Sequence, residues 1–313
     1  MRFDEGADLD TSNIDDLRGS GGGGVGGRVA LGGGGLGVVG LIVYFLLSQL
    51  GGGGGGGFSV PGGIPGLGGL EQGQQTDTSA AASACRTGEQ ANTQLDCEVV
   101  AVVNSLDGYW TDAFAASGQT YAPPRTNFFS GGVTTGGCGS ATSASGPFYC
   151  PADSEVYIDL TFFEELETRF GAQGGPFSRA YVIAHEYGHH IQNLLGTSSR
   201  VQGGESGPTS GSVRLELQAD CYAGVWANHA TTVPTQSGRP LITEVTREDV
   251  AAALDTAERI GDDFIQSNLG GGRVDESQFT HGSSAQREKW YTTGYQSGDP
   301  SQCDTFARGV DLG

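Results

Sequence analysis

The stretch Ala184-His185-Glu186-Tyr187-Gly188-His189-His190 spells H-E-x-x-H inside a segment with the apolar spacing of a helix. Residues four apart lie on one face of a helix, so His185 and His189 can offer imidazole nitrogens to a single ion. Glu186 stands beside them on the same helix. The sequence therefore predicts a helix that presents a metal-binding face, with the rest of the fold arranged around it.

This helix also has an apolar back and clear ends. Four apolar residues recur at steps of three and four on the side away from the histidines: Ile183, Tyr187, Ile191 and Leu194. Gly175-Pro176 marks the start and Gly196 marks the end. Gly188 lies in the middle, where glycine costs about 1 kcal/mol relative to alanine. We therefore expect another backbone to pack closely against Gly188.

A catalytic zinc ion has three protein ligands and one position open to water, so a third ligand is required. A second predicted helix over residues 212–230 carries Glu216 and Asp220, whose spacing of four places both carboxylates on one face. We assign Glu216 as the third ligand, and Asp220 as the acceptor of the other ring N–H of a ligand histidine. The alternative is a solvated acidic face, which the leucines on either side of Glu216 disfavour.

Several further motifs accompany these two helices. They are Cys138-Gly139, Gly146-Pro147-Phe148-Tyr149-Cys150-Pro151, Tyr157-Ile158-Asp159-Leu160, Ala180-Tyr181-Val182-Ile183-Ala184-His185-Glu186, Arg214-Leu215-Glu216-Leu217-Gln218-Ala219-Asp220-Cys221, His281-Gly282-Ser283-Ser284 and, near the start, Arg2-Phe3 and Asn13-Ile14-Asp15-Asp16. With them the chain resembles, over nearly its whole length, the bacterial neutral zinc metallopeptidases that are anchored in the membrane. It is similar, more distantly, to the Glu-zincins, in which an E-x-x-x-D on a following helix completes H-E-x-x-H. The resemblance implies a zincin-like fold and a zinc-dependent peptidase.

The residues themselves indicate the same chemistry. A bound Zn²⁺ ion polarises a carbonyl group and lowers the pKa of a bound water to about 7. Glu186 is not a ligand in this assignment, and it can take a proton from that water and deliver one to a leaving amine. We therefore predict an endopeptidase with one catalytic Zn²⁺ ion, Glu186 as general base, and a peptide or protein as substrate.

The oxyanion that develops in such a reaction needs a hydrogen-bond donor opposite the metal, and His281 is our candidate. It precedes a predicted C-terminal helix and belongs to a loop that can reach a cleft. Tyr291 and Tyr295 are the alternatives. His190 and His229 are not expected at the site, because helical spacing turns each of them away from the neighbouring ligand.

A second interpretation stays open, in which the chain is a catalytically inactive envelope protein. Such a protein would bind zinc either to recognise peptides or only to fold, and a structural zinc site has a fourth protein ligand in place of water. Neither role needs a general base, so Glu186 argues against both.

Residues 29–50 contain no charged residue and are long enough to cross about 30 Å of hydrocarbon. Arg18 and Arg28 precede them, and no Lys or Arg follows until Arg86, so the positive-inside rule places the N-terminus in the cytoplasm. We predict a single-pass membrane protein with an extracytoplasmic catalytic domain. The predicted domains are a cytoplasmic tail over residues 1–28, a transmembrane anchor over residues 29–50, a Gly-rich flexible linker over residues 51–84 and a zinc metallopeptidase domain over residues 85–313.

All six cysteines lie beyond the predicted anchor, on the side expected to be oxidising, which favours disulfides over a reactive thiol. Six cysteines allow many pairings, and non-local ones stay open. Local spacing favours the pairs Cys85 with Cys97 and Cys138 with Cys150. These two pairs would leave Cys221 to bond with Cys303.

The charge of the chain excludes one class of partner. Sixteen basic residues against 36 acidic ones give a net charge of −20, whereas binding to nucleic acid requires clusters of basic residues. We therefore expect no nucleic acid partner. We expect contact with the membrane only through the one N-terminal helix, because an acidic surface is repelled by anionic lipids.

The remaining pattern predicts a mainly helical α+β domain with a small β-sheet. Apolar residues at helical spacing from Val99 to Phe114 indicate a core helix, and Thr246 to Leu269 is predicted as one further helix. Two runs are predicted as strands, Thr126–Phe129 and Glu155–Leu160. In a zincin arrangement the strand before the metal helix pairs with extended substrate, so the second run is the candidate edge strand. Its alternative is an ordinary buried strand.

Overall fold

The computed structural model describes residues 1–18, 84–201, 204–234 and 238–313, which form an α+β fold with eight α-helices and three small sheets. The helices are α1 Gly88–Ala91, α2 Leu95–Ala116, α3 Phe162–Thr168, α4 Pro176–Leu194, α5 Gly211–His229, α6 Arg247–Arg259, α7 Asp262–Asn268 and α8 Ser284–Ser297. The strands are β1 Arg2–Phe3, β2 Ile14–Asp16, β3 Arg125–Phe129, β4 Gly132–Thr134, β5 Ser140–Thr142, β6 Phe148–Cys150, β7 Glu155–Asp159 and β8 Ile242–Glu244. The predicted anchor at residues 29–50 lies outside the described residues, as does nearly all of the predicted linker. Within the described ranges, none of the helices is both long enough and apolar enough to cross a bilayer.

The largest sheet has four strands in the order β2-β3-β7-β6. Strands β2, β3 and β7 are parallel, and β6 is antiparallel to β7. Tyr157 of β7 pairs with Asn127 on one side and with Phe148 on the other. The prediction of an edge strand at Glu155–Leu160 is therefore wrong, and its alternative, a buried strand, is confirmed. Strand β7 has a neighbour on each side, and four of its five residues are buried.

Residues 1–18 are part of the same fold. Strand β2 forms one edge of the four-stranded sheet, and β1 pairs with β8. Ile14 is buried in the core, and the side-chain amide of Asn104 bonds the backbone of Asp10 in both directions, at 2.8 and 2.7 Å. The prediction of a separate tail over residues 1–28 is wrong for residues 1–18, because strand pairing and core burial join them to the rest of the fold.

Helices α4, α5 and α8 pack at close range and carry the site. A Cβ atom on Gly188 would lie 2.8 Å from the Cα atom of Ala219 and 2.9 Å from its carbonyl oxygen. Glycine is therefore required where α4 meets α5, and the backbone approach expected from the sequence is present. On the other side of α5, Gly224 and Gly294 lie against the facing backbones and allow α8 to approach as closely.

The single helix predicted over residues 246–269 is two helices in the structure. Helix α6 ends at Arg259 and α7 begins at Asp262, with Gly261 as the N-cap of α7. A Cβ atom on Gly261 would lie 2.5 Å from the backbone nitrogen of Ser284. The chain breaks its helix there because the start of α8 packs against it, a tertiary contact that apolar periodicity does not reveal.

All six cysteines form disulfides. The pairs are Cys85–Cys97, Cys138–Cys150 and Cys221–Cys303, the same pairs that local spacing favours. The third bridge spans 82 residues and ties α5 to the C-terminal segment.

The side chain of Asp107 on α2 is partly buried where α2 meets the N-terminal segment. It accepts hydrogen bonds from the hydroxyl of Tyr121 at 3.0 Å and from the side-chain amide of Asn13 at 3.4 Å. Burial outweighs these bonds and raises the pKa of Asp107 from 3.8 to about 7. The folded state therefore holds this proton more tightly than the unfolded state. The resulting stability is fully present below pH 3.8 and is lost as the pH rises through about 7.

Asparagine at position 107 cannot ionise, so Asp107→Asn does not lose this stability as the pH rises. We expect the free energy of unfolding of the variant, minus that of wild type, to be about 1–3 kcal/mol larger at pH 8 than at pH 5. Chemical denaturation at both pH values measures this difference. Asp112→Asn is the control, because Asp112 is exposed on the same helix. A variant that differs from wild type by the same amount at both pH values would contradict the prediction.

Candidate metal centre

The three predicted ligands meet where α4 contacts α5. The Nε2 atom of His185 lies 3.2 Å from a carboxylate oxygen of Glu216 and 3.2 Å from the Nε2 atom of His189. The Nε2 atom of His189 lies 3.4 Å from the other carboxylate oxygen. Within the part of the chain that the structure describes, these side chains are the one group of three or more His, Cys, Asp or Glu residues placed to hold a metal ion.

The spacing and the charge of this group suit zinc. Ligand atoms about 2.0–2.1 Å from a tetrahedral zinc ion lie about 3.3 Å from one another. The two imidazole nitrogens are 3.2 Å apart, and each has an oxygen of Glu216 at 3.2 or 3.4 Å, although not the same oxygen. Burial lowers the pKa of His185, but the carboxylates of Asp220 and Glu216 outweigh burial and raise this pKa to about 10. The cluster therefore favours a positive charge at its centre. Two imidazoles and one carboxylate are a donor set found in catalytic zinc sites, so the residues present fit the ion.

Asp220 lies directly behind His185. The Nδ1 atom of His185 is 2.8 Å from Oδ1 of Asp220, and the hydroxyl of Tyr181 donates to the same oxygen at 2.6 Å. Arg287 of α8 donates to the two carboxylate oxygens through Nε and Nη2, at 2.9 Å each. Burial raises the pKa of Asp220, but Arg287 and His185 outweigh burial and lower it. Asp220 is therefore a carboxylate that accepts the Nδ1–H of His185, which leaves Nε2 for a metal.

Two residues of this network, Tyr181 and Arg287, were not predicted from the sequence. Tyr181 precedes His185 by four residues, so helical spacing could have placed it on the same face. Arg287 is separated from Asp220 by 67 residues and lies on another helix. No local pattern connects that pair.

Glu186 is buried beside the ligands. Its carboxylate makes no hydrogen bond with any residue in the described ranges. Burial raises its pKa, against the opposing effect of His185 and His189. A carboxyl group with a raised pKa and no structural partner is suited to accept and release a proton at the site.

His281 approaches the site from the loop between α7 and α8, where Asp262 holds it. One carboxylate oxygen of Asp262 accepts the backbone N–H groups of residues 280, 281 and 282 at 2.7, 2.7 and 3.0 Å. The other oxygen lies 3.2 Å from Nδ1 of His281. Burial lowers the pKa of His281, but the charges of Glu216 and Asp262 outweigh burial and raise it. No local sequence pattern predicts this role of Asp262, because it depends on the break between α6 and α7.

The other candidate residues contact groups other than the three ligands. Tyr291 lies edge-on against Tyr181, and Tyr295 stacks on Tyr291. His190 lies between a tyrosine hydroxyl at 3.1 Å and a backbone carbonyl at 2.7 Å. His229 stacks on another aromatic ring and contacts a backbone carbonyl at 2.8 Å. These contacts give all four side chains a packing role in the fold.

Known proteins are similar to this chain over most of its length. The family model described as "Putative neutral zinc metallopeptidase" matches residues 1–306. "Uncharacterized protein Rv2575" of Mycobacterium tuberculosis (strain ATCC 25618 / H37Rv) is 48% identical over 254 residues, which cover 81% of this chain and 84% of that protein. "Uncharacterized protein YpfJ" of Escherichia coli (strain K12) is 39% identical over 249 residues, which cover 78% of this chain and 82% of that protein. No solved structure matches the chain.

Proposed function

The chain belongs to the neutral zinc metallopeptidase family, and from this premise we propose that it is a zinc-dependent endopeptidase with a zincin-like catalytic fold. His185, His189 and Glu216 would hold the one zinc ion. The proposal is carried by one observation. The two imidazole nitrogens lie 3.2 Å from each other and 3.2 and 3.4 Å from the two carboxylate oxygens of Glu216, beside the buried carboxylate of Glu186, which no described residue hydrogen-bonds.

Each remaining residue of the site then has a task. When bound, the zinc ion supplies a Lewis acid and a water of lowered pKa. Glu186 accepts a proton, at a carboxylate oxygen, from the water that attacks the scissile carbonyl. It then returns this proton to the departing amine. Its raised pKa suits this double task, because the same group must take up and release a proton. His281 donates a hydrogen bond to the carbonyl oxygen as that oxygen becomes negative, and Asp262 fixes the imidazole.

The second candidate is an inactive protein that binds zinc to recognise peptides or to fold. A structural zinc site uses four protein ligands, whereas the described residues bring three such side chains together. In that role Glu186 would have no task, although it lies largely buried beside the ligands and burial raises its pKa. We therefore favour the peptidase.

We also propose that the metal site lies outside the cytoplasm. Three disulfides are typical of oxidising compartments. Residues 29–50 are the proposed membrane anchor and residues 51–84 the proposed linker. Because residues 1–18 pack in the same fold as the metal site, this proposal places them on the same side of the membrane as that site. Residues 29–50 would then enter and leave the bilayer on that side, in place of the single crossing and the cytoplasmic N-terminus that the positive-inside rule predicts. The proposed partner is a peptide or protein substrate, and the net charge of −20 disfavours nucleic acid.

Digestion of an unbiased peptide library tests the proposed activity. We expect the purified protein, with zinc bound, to cleave bonds inside peptides, to lose this activity on dialysis against a chelator, and to regain it when zinc is returned. Zinc-loaded protein that cleaves no peptide would favour the inactive alternative. Cleavage that continues after the metal has been removed would contradict the mechanism.

A further inference from the structure

The Nδ1 atoms of the two ligand histidines contact different kinds of group. His185 is supported by Asp220, a carboxylate that is ion-paired with Arg287. His189 is supported by an uncharged amide, because its Nδ1 atom lies 2.9 Å from Oε1 of Gln192, about one turn further along α4. Gln192 is fully buried, so its polar atoms need partners within the protein.

The other contacts of Gln192 fix the direction in which its amide points. Its Nε2 atom donates to the backbone carbonyl of Leu215 at 2.6 Å and to Oε1 of Gln218 at 3.2 Å. Carbonyl oxygens only accept, so the NH₂ group of Gln192 must face α5 and its Oε1 must face His189. Because Oε1 also only accepts, the proton between the two side chains belongs to Nδ1 of His189.

Gln218 is oriented by the same reasoning. Its Nε2 atom donates to the backbone carbonyl of Cys303 at 2.8 Å, and Cys303 is tied to α5 through its disulfide with Cys221. Gln218 therefore turns its own Oε1 toward Gln192. A chain of hydrogen bonds with a single direction runs from His189 through Gln192 and Gln218 to a backbone carbonyl.

We propose that Gln192 is a positioning residue that keeps the proton of His189 on Nδ1 and so leaves the lone pair of Nε2 for zinc. This inference rests on the proposed zinc site. The nitrogen with which an imidazole binds a metal is set by the hydrogen bond that the other nitrogen makes. Without an acceptor at Nδ1, the proton can move to Nε2, where it blocks the ligand atom, and the ring loses an orienting contact.

The neutral character of this support also has a physical reason. Four carboxyl groups are already buried at the site, on Glu186, Glu216, Asp220 and Asp262. Each additional buried charge carries a desolvation cost. An amide oxygen orients His189 without adding a fifth buried carboxyl group.

Gln192→Met tests the proposal, because methionine has a similar volume but cannot accept the N–H of His189. We expect its zinc affinity, measured by competition with a chelating dye, to fall about 10–100-fold. Gln192→Glu keeps an acceptor and should retain zinc affinity within about fivefold, although it loses its bonds to α5 and is less stable. If Gln192 served only packing, Gln192→Met would keep a higher zinc affinity than Gln192→Glu, because methionine preserves the packing better than a buried glutamate.

The control is Gln286→Met, which removes a buried glutamine from the capping box of α8. This variant should lose stability and keep the zinc affinity of wild type. If Gln286→Met weakened zinc binding as much as Gln192→Met, the effect would be a general one of stability and the proposal would fail.

A second measurement uses the metal-free protein. NMR of the ring nitrogens, at a pH where the imidazole is neutral, shows which nitrogen of His189 carries the proton. We expect the proton on Nδ1 in wild type and a shift toward Nε2 in Gln192→Met. A wild-type His189 with its proton on Nε2 overturns the inference even if the methionine variant does not fold. Failure of wild type to bind zinc at all would instead reject the metal site on which the inference rests.

Discussion

Glu186→Gln is expected to remove nearly all peptide hydrolysis while zinc remains bound. Glutamine has the shape of glutamate but cannot accept a proton, so kcat should fall by about 10²–10⁴-fold, the usual contribution of a general base. Glu186 is outside the ligand group and makes no hydrogen bond with the described residues, so the fold and the ligands should be unchanged. A fluorogenic peptide assay gives kcat, and metal analysis of the same sample gives the zinc content.

Glu164→Gln is the matched control, because it removes the same charge at an exposed position on α3. Its kcat and its zinc content should equal those of wild type. If Glu186→Gln also kept the wild-type kcat, another group would be the base. If it lost its zinc together with its activity, Glu186 would be a support for the ligands and not the proton acceptor.

Ile14→Asp is expected to destabilise the entire fold around the metal site, although Ile14 is far from the ligands in sequence. Ile14 is 1% exposed and belongs to β2, where it pairs with Thr126. The substitution removes apolar contacts and places a carboxyl group in the core, which should cost about 4 kcal/mol or more. Folded proteins are stable by only about 5–15 kcal/mol. Chemical denaturation of the full chain measures the loss, and zinc binding should fall with the folded fraction.

Ser12→Asp adds the same charge at an exposed position two residues earlier and serves as the control. It should change the free energy of unfolding by no more than about 0.5 kcal/mol. If Ile14→Asp and Ser12→Asp changed the free energy of unfolding by the same small amount, residues 1–18 would form the separate tail that the sequence pattern suggests. A destabilised Ile14→Asp would show that β2 folds together with the metal site, and a single membrane crossing at residues 29–50 could not then separate the two.

The features that the sequence predicts well lie within single helices. The pair Gly175-Pro176 marks the start of α4, and the observed helix begins at Pro176. Four-residue spacing puts His185 and His189 on one face, and the same spacing puts Glu216 and Asp220 on one face of α5. Such patterns are local, so they can be read without knowing what packs against the helix.

The features that the sequence does not predict depend on contacts between distant segments. Arg287 reaches Asp220 from another helix, and Gly261 interrupts a regular apolar pattern because α8 packs against it. Strand β2 has only three residues, which is too short for a periodic pattern to distinguish it from a tail. Its partner is the edge of β3, and local propensity carries no information about that partner.

The central claim is that two imidazoles of α4 and one carboxylate of α5 bind a single zinc ion with a position left for water. Anomalous diffraction at the zinc absorption edge, on crystals of the zinc-loaded wild-type protein, tests it most directly. We expect one ion, about 2.0–2.2 Å from Nε2 of His185, Nε2 of His189 and the carboxylate of Glu216, with a water as its fourth ligand. An ion bound elsewhere, or an ion at this position with a fourth protein ligand, would contradict the account.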